Sequence, residues 1–186
     1  MIHLVTGGSG SGKSEYAESL ILSFGSGQRF YAASMEAGDS QEGKRRIARH
    51  RRLRAGKGFV TLEQPRNLGQ LRLPDGGRKH VLLECVTTLA ANEMFGGPEA
   101  GGAEKGLADQ ERLCRKLLAG IKALAEQADN LVIVSGQLGE DGSLYDAGTL
   151  DYIALMGRLN QELAAWADRV TEVVFGIPVI LKGEEE

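Results

Sequence analysis

The stretch that decides the fold is Gly7-Gly8-Ser9-Gly10-Ser11-Gly12-Lys13-Ser14, which fits the pattern G-x-x-x-x-G-K-[ST]. Glycine allows such a loop to curl around phosphate oxygens with its backbone N–H groups pointing inward. In this pattern the lysine reaches the β- and γ-phosphates and the serine hydroxyl ligates Mg²⁺, which predicts these roles for Lys13 and Ser14. The loop therefore predicts a site for a nucleoside triphosphate, but it names a ligand and not a reaction.

The segments on either side of this loop predict alternating strands and helices. Residues 2–6 form a β-prone run before the loop, and apolar residues recur at helical spacing after it. Further strands are predicted at 29–33, 59–62, 81–86, 131–134, 170–175 and 179–182, and helices at 13–24, 43–56, 104–124 and 150–166. This alternation predicts an α/β fold in one domain over residues 1–186. Its sheet is expected to be mostly parallel, covered by helices on both faces, with an antiparallel C-terminal edge.

Composition and charge exclude several classes of protein. The chain has 186 residues, of which 42% are apolar and 25% charged, which is typical of an ordinary globular domain. Its net charge of −3 argues against a nucleic-acid coat, which normally carries a large positive excess. No apolar run approaches the ~20 residues needed to cross a bilayer, and the N-terminus does not resemble a signal peptide. We therefore expect a cytoplasmic protein in which Cys85 and Cys114 are reduced core residues.

Glu84 is the candidate for the second acid of the site. It ends the apolar run Val81-Leu82-Leu83, and proteins with this loop commonly place an acid at the end of a neighbouring strand, where it supports the Mg²⁺ ion. The predicted metal site therefore consists of Ser14 and Glu84.

A basic segment follows the second predicted strand. Residues 43–62 contain no acid but hold eight of the 22 cations of the chain, and His50 lies among them with Arg46 at i−4 and Arg54 at i+4. The segment can be a solvated helix face, a nucleic-acid patch or a surface for triphosphate. Neighbouring cations favour an uncharged imidazole, which a nucleophilic nitrogen requires. His3 and His80 flank strands, and we interpret both as structural or surface residues.

At this point the chain resembles the bifunctional adenosylcobinamide kinase/adenosylcobinamide-phosphate guanylyltransferase family of cobalamin biosynthesis. The resemblance rests on the loop, on Tyr31-Ala32-Ala33-Ser34, on Arg46-Ile47-Ala48-Arg49-His50, on the strand ending at Glu84 with Asn92 following, and on Val174-Phe175-Gly176-Ile177-Pro178. It departs at residues 135–139, where Ser-Gly-Gln-Leu-Gly replaces the usual Asn-Glu-Val-Gly.

The resemblance implies a P-loop, RecA-like fold, a homotrimer and two reactions. A nucleoside triphosphate (ATP or GTP) first phosphorylates the corrinoid adenosylcobinamide, and GTP then guanylylates His50, which passes GMP to adenosylcobinamide phosphate. The implied cofactor is Mg²⁺. With Lys13 as a second catalytic residue, the positions implied to contact nucleotide are Gly7, Gly8, Ser9, Gly10, Ser11, Gly12, Lys13, Ser14, Ser34, Met35, Glu36, Arg51, Arg52, Leu53, Arg54, Glu63 and Glu84.

Two other functions remain open from the residues. One is a monofunctional small-molecule kinase in which His50 only positions phosphate. The other is a RecA-like DNA-binding ATPase module that uses the basic segment, although the acidic overall charge counts against nucleic acid as a partner.

Overall fold

The computed structural model describes residues 1–35, 48, 52, 54–96, 107–139 and 144–184. Within them, the strands are β1 (Ile2–Thr6), β2 (Gln28–Ala33), β3 (Phe59–Glu63), β4 (Lys79–Glu84), β5 (Asn130–Val134), β6 (Arg169–Val174) and β7 (Ile177–Lys182). The α-helices are α1 (Lys13–Ser23), α2 (Val86–Phe95), α3 (Leu107–Ala125) and α4 (Ala147–Trp166). A short 3₁₀ turn spans Leu68–Gln70.

The described strands form one sheet in the order β3-β2-β4-β5-β1-β6-β7. All neighbouring pairs are parallel except β6 with β7, which form an antiparallel hairpin. One strand, β5, therefore lies between β1, which leads into the glycine loop, and β4, which carries the predicted second acid. Because carboxyl ends of parallel strands share one edge, this order brings the loop and Glu84 to the same edge of the sheet.

Two hydrophobic cores cover the two faces of the sheet. Side chains alternate along each strand, so the neighbours Leu4 and Val5 of β1 belong to opposite cores. On one face, the strands pack against α2, α3 and α4, and on the other they pack against Ala17 and Ile21 of α1. Burial on both faces explains the nearly continuous apolar runs of β4 and β5.

The main difference from the sequence prediction lies after β4. The run Val81–Val86 was predicted to be one strand, but β4 ends at Glu84 and Val86 begins α2, a helix that the sequence analysis did not predict. Val86 and Leu89 are fully buried on this helix. β-Branched residues such as Val86, Thr87 and Thr88 favour strands locally, so packing decides against their local preference here.

The remaining buried positions also refine the predictions. His3 and His80 lie within β1 and β4 and are both buried, so they are structural and not surface residues. Cys85 and Cys114 are both free thiols, of which Cys114 is buried and Cys85 only partly so. None of the helices, over the residues that the structure describes, combines the length and apolar character needed to cross a membrane.

Candidate nucleotide site

The glycine loop connects β1 to α1 with the strand–loop–helix context that the motif requires. Gly12 is the N-cap of α1 and has φ +93°, a conformation that glycine adopts without strain. A Cβ on Gly7 would lie 2.5 Å from the Val173 carbonyl oxygen, so the start of the loop also needs glycine. The loop is held from the far side by the β6–β7 turn, where Gly176 N–H donates to the Ser11 carbonyl at 2.8 Å.

The glycine loop is lined by two positive groups, the ammonium of Lys13 and the N-terminus of α1. The first residue of α1 is Lys13, and its ammonium donates to the Gly8 carbonyl at 2.8 Å. The 11-residue helix presents its N-terminal N–H groups, and so the positive end of its dipole, to the same space. This combination suits the phosphates of a nucleotide.

Glu84 and Ser14 meet directly across the edge of the sheet. The Ser14 hydroxyl donates to Glu84 Oε1, and the Tyr31 hydroxyl donates to Glu84 Oε2 at 3.0 Å. Burial, and then the charge of Glu84, raise the pKa of Tyr31, so its hydroxyl keeps its proton and remains a donor. The two residues predicted to form the metal site are therefore adjacent.

Hydroxyl and carboxylate oxygens of this kind suit Mg²⁺, which usually takes one or two protein ligands and completes its shell with water and phosphate oxygens. Within the described part of the chain, no group of three or more His, Cys, Asp or Glu side chains could hold a metal ion by itself. The donor set at Ser14 and Glu84 therefore fits a Mg²⁺ ion that arrives with a nucleotide.

Arg54 covers this cluster from the side of the basic segment. Its guanidinium carbon lies 3.3 Å from the centre of the Tyr31 ring, and the residue is only 7% exposed. Among the described residues, its Nε and Nη1 have no hydrogen-bond partner. A buried cation with unsatisfied donors is costly by itself, so this geometry favours an anionic ligand beside Tyr31. Arg52, in contrast, is exposed.

The chain beyond β2 is fixed beside Glu84 by a network around Ser34. Its buried hydroxyl accepts from Cys85 N–H and donates to the Cys85 carbonyl, both at 2.8 Å. The Asn92 amide of α2 donates to the carbonyls of Ser34 at 2.7 Å and Pro65 at 3.0 Å. Met35, which follows Ser34, is half-buried.

The register of the sheet shows which predicted positions lie together. Ala33 is level with Glu63 on one side and with Glu84 on the other, and Glu84 is level with Val134. Glu63, the last residue of β3, is exposed at this edge. The structure thus brings the loop, Ser34, Arg54 and Glu84 to one edge. The predicted positions Glu36, His50, Arg51 and Leu53 lie outside the described residues.

Sequence reasoning missed three side chains at this edge. Tyr31 entered only as part of a family-like motif, and its hydrogen bond to Glu84 depends on the pairing of β2 with β4. Gln137 and Glu172 hydrogen-bond to each other at 2.8 Å beside the start of the loop. Glu172 is the fourth of the six residues of β6 and is level with Thr6 at the end of β1, and a lone acid within an otherwise apolar predicted strand was the one signal that could have found it.

Comparison with known proteins agrees with this geometry. The family model described as cobinamide kinase/cobinamide phosphate guanyltransferase matches residues 3–181. The bifunctional adenosylcobalamin biosynthesis protein CobP of Pseudomonas aeruginosa is 33% identical over 187 residues, covering 99% of each chain. The bifunctional adenosylcobalamin biosynthesis protein CobU of Escherichia coli is 34% identical over 185 residues, covering 98% of this chain and all of the relative.

Among solved structures, an ATPase of the type III secretion system of pathogenic bacteria superposes with a TM-score of 0.58 at 14% identity. The match covers 96% of this chain and 56% of that one, and it bears on the fold alone. It confirms the predicted α/β, RecA-like architecture. With the family model matching nearly the whole chain and two relatives matching end to end, this chain belongs to the cobinamide kinase/cobinamide phosphate guanyltransferase family.

Proposed function

We propose that this protein phosphorylates adenosylcobinamide and then transfers GMP from GTP to adenosylcobinamide phosphate, giving adenosylcobinamide-GDP. The observation that carries the proposal is the glycine loop with Ser14 against Glu84, in a chain that matches the family over residues 3–181. Family membership disfavours a kinase without the second activity, and it equally disfavours a DNA-binding module.

The residues of the loop hold the triphosphate in both reactions. Backbone N–H groups of residues 7–14 and the ammonium of Lys13 bind phosphate oxygens, as the open loop and the start of α1 permit. Ser14 and Glu84 would hold Mg²⁺, which would neutralise charge that develops on the phosphates. Phosphoryl transfer depends mostly on positioning and charge, which these groups supply.

The nucleoside would lie along the ends of β2, β3 and β4. Arg54 is the best supported contact, because it is buried over Tyr31 and its Nε and Nη1 lack partners among the described residues. We assign Ser34, Met35, Glu36, Arg51, Arg52, Leu53 and Glu63 to the same nucleotide site from their match to the family. Lys13 contributes directly by stabilising charge on the phosphates.

We assign the covalent step to His50. An imidazole nitrogen attacks the α-phosphorus of GTP, the bond to the bridging oxygen breaks, and pyrophosphate leaves. The resulting phosphoramidate is reactive enough to pass GMP to adenosylcobinamide phosphate, so one difficult displacement becomes two easier ones. The seven Lys and Arg side chains in residues 44–54 would stabilise the phosphoryl group under attack.

We further propose that the chain acts as a single domain, residues 1–186, in a cytoplasmic homotrimer. All six residues of the edge strand β7 are exposed, and Ile177 and Leu181 are 65% and 58% exposed. An apolar edge strand of this kind invites pairing or coverage, and a second copy of the chain would cover it. Sedimentation equilibrium measures the subunit number, and a monomer at working concentration would contradict the trimer.

The function is tested with GTP labelled at the α-phosphate. The wild-type protein should acquire a label that is acid-labile and alkali-stable, and should release it to adenosylcobinamide phosphate as adenosylcobinamide-GDP. With ATP or GTP labelled at the γ-phosphate, adenosylcobinamide should become labelled. The variant His50→Ala should lose the GMP adduct but keep the kinase reaction, whereas the exposed surface variant Glu126→Gln should keep both. Absence of both reactions in the wild type would overturn the proposal.

A further inference from the structure

The end of β5 and Glu172 of β6 flank the end of β1, where the chain enters the glycine loop. Val134 is level with Val5 of β1, and Glu172 is level with Thr6. Past the end of β5 the parallel pattern continues, because Ser135 N–H donates to the Val5 carbonyl at 2.9 Å and Gln137 N–H to the Gly7 carbonyl at 3.3 Å. Gln137 and Glu172 therefore stand on opposite sides of the first residue of the loop.

A hydrogen bond joins these two side chains across the end of β1. Gln137 Nε2 donates to Glu172 Oε1 at 2.8 Å, and both residues are half-buried. Among the residues that the structure describes, Glu172 Oε2 accepts no hydrogen bond. One carboxylate oxygen is thus held by the amide, while the other is available to a ligand.

The segment that carries Gln137 is fixed by α4. The buried Ser135 hydroxyl donates to Asn160 Oδ1 at 2.6 Å, and Asn160 Nδ2 donates to the Gly136 carbonyl at 3.1 Å. The Gln137–Glu172 pair therefore has a defined position relative to the glycine loop. A defined position is what a group that orients a reacting atom requires.

The order of the strands indicates where the terminal phosphate of a bound nucleotide would lie relative to this pair. Ser14 and Glu84 would hold a Mg²⁺ ion, which would neutralise charge on the phosphates of a bound nucleotide. Since β5 lies between β1 and β4, the γ-phosphate is expected in front of the end of β5. Because Ser135 and Gly136 are buried, an acceptor in line with that phosphate would approach beside Gln137 and Leu138.

Glu172 is the carboxylate there that can receive a proton. Both oxygens of Glu84 already accept hydrogen bonds, from Ser14 and Tyr31, whereas Glu172 is engaged through one oxygen only. Beyond Gln137, the side chain of Leu138 is exposed, and an apolar group beside the pair suits a bulky acceptor better than water.

From this geometry we propose that Glu172, held in place by Gln137, is the general base of the kinase reaction, an assignment that rests on the proposed function. The acceptor hydroxyl oxygen forms a bond to the γ-phosphorus, and the bond from that phosphorus to the β–γ bridging oxygen breaks. The nucleoside diphosphate leaves, and the hydroxyl proton passes to the Glu172 carboxylate. Gln137 is a positioning residue, which fixes the carboxylate without adding charge.

The variant Glu172→Gln tests the base, because it keeps the shape and a hydrogen bond to Gln137. We expect its kcat for phosphorylation of adenosylcobinamide to fall by about 100-fold, within the usual contribution of general-base catalysis. GMP-adduct formation from GTP, which uses the same loop but no acceptor hydroxyl, should stay unchanged and serves as the control for folding. Glu126 is exposed and directly follows α3, so Glu126→Gln is the matched surface control.

The variant Gln137→Glu provides a second test, because its pH profile would not shift if Gln137 and Glu172 had only a structural role. Two adjacent carboxylates share a proton, so the acidic limb of the kinase pH profile should move to higher pH. Unchanged kcat in Glu172→Gln, or an equal fall in both reactions, overturns the assignment of the base. A wild-type protein without kinase activity would overturn both the proposed function and this inference. If the wild type has both activities, an unchanged kcat in Glu172→Gln overturns only the role of Glu172.

Discussion

The buried imidazole of His3 makes the stability of this fold sensitive to mild acid. His3 is 4% exposed, its Nε2 contacts the Thr171 hydroxyl at 2.8 Å, and burial together with the charge of Arg169 lowers its pKa from 6.5 to about 4. The folded protein therefore holds this ring neutral at pH values where the unfolded chain binds a proton. Protonation of the unfolded chain then favours unfolding.

The sign and size of this effect on the free energy of unfolding follow from the pKa of His3 in the unfolded chain, 6.5, and in the folded protein, about 4. The contribution of His3 is fully present above pH 6.5, is lost progressively as the pH falls towards 4, and does not change further below that. Between pH 7.5 and pH 5, most of this interval is crossed, so the free energy of unfolding should fall by about 2 kcal/mol from this residue alone.

Urea unfolding at several pH values measures the effect in the wild type and in His3→Gln. Glutamine does not titrate and can still hydrogen-bond to Thr171, so the variant should lose about 2 kcal/mol less than the wild type over the same pH range. The carboxylates that also titrate there are common to both proteins and cancel in the difference. Identical pH dependence in the two proteins would refute a neutral buried imidazole.

Three further predictions concern the loop, the core and the metal site. Gly12→Ala should destabilise the fold by about 1–2 kcal/mol, because φ is +93° and the new Cβ would lie 3.3 Å from Gly176 Cα. It should also weaken nucleotide binding measured by calorimetry, and unchanged stability and affinity would contradict this. Ile21→Ala should cost about 2–5 kcal/mol in urea unfolding, because Ile21 is fully buried under the sheet; a loss below 1 kcal/mol would contradict the packing. Removal of Mg²⁺ by a chelator should weaken GTP binding by at least about tenfold in the wild type. That dependence should be smaller in Ser14→Ala, and equal dependence would exclude Ser14 as a ligand.

The glycine loop and the end of β4 could be predicted from the sequence because their signals are local. The motif fits within eight consecutive residues, and the acid stands directly after an apolar run that is buried on both faces. The start of α2 could not be predicted in this way. Val86, Thr87 and Thr88 have strand preferences, and only packing of Val86 and Leu89 into the core fixes the helix.

The polar contacts of the site were less accessible because they join distant parts of the chain. The Tyr31 hydroxyl reaches Glu84 across 53 residues of sequence, and Gln137 reaches Glu172 across 35. Neither pair has a spacing rule, since each depends on which strands become neighbours in the sheet. These two contacts could therefore be identified only from the order of the strands β2, β4, β5, β1 and β6 in the sheet.

The central claim is that a histidine of the basic segment carries GMP during the reaction. Intact-protein mass spectrometry after incubation with GTP and Mg²⁺, followed by peptide mapping at alkaline pH, tests it most directly. We predict one added GMP per chain, located on His50 and removed when adenosylcobinamide phosphate is supplied. An unmodified protein that nevertheless forms adenosylcobinamide-GDP, or GMP attached to another residue, would contradict the claim.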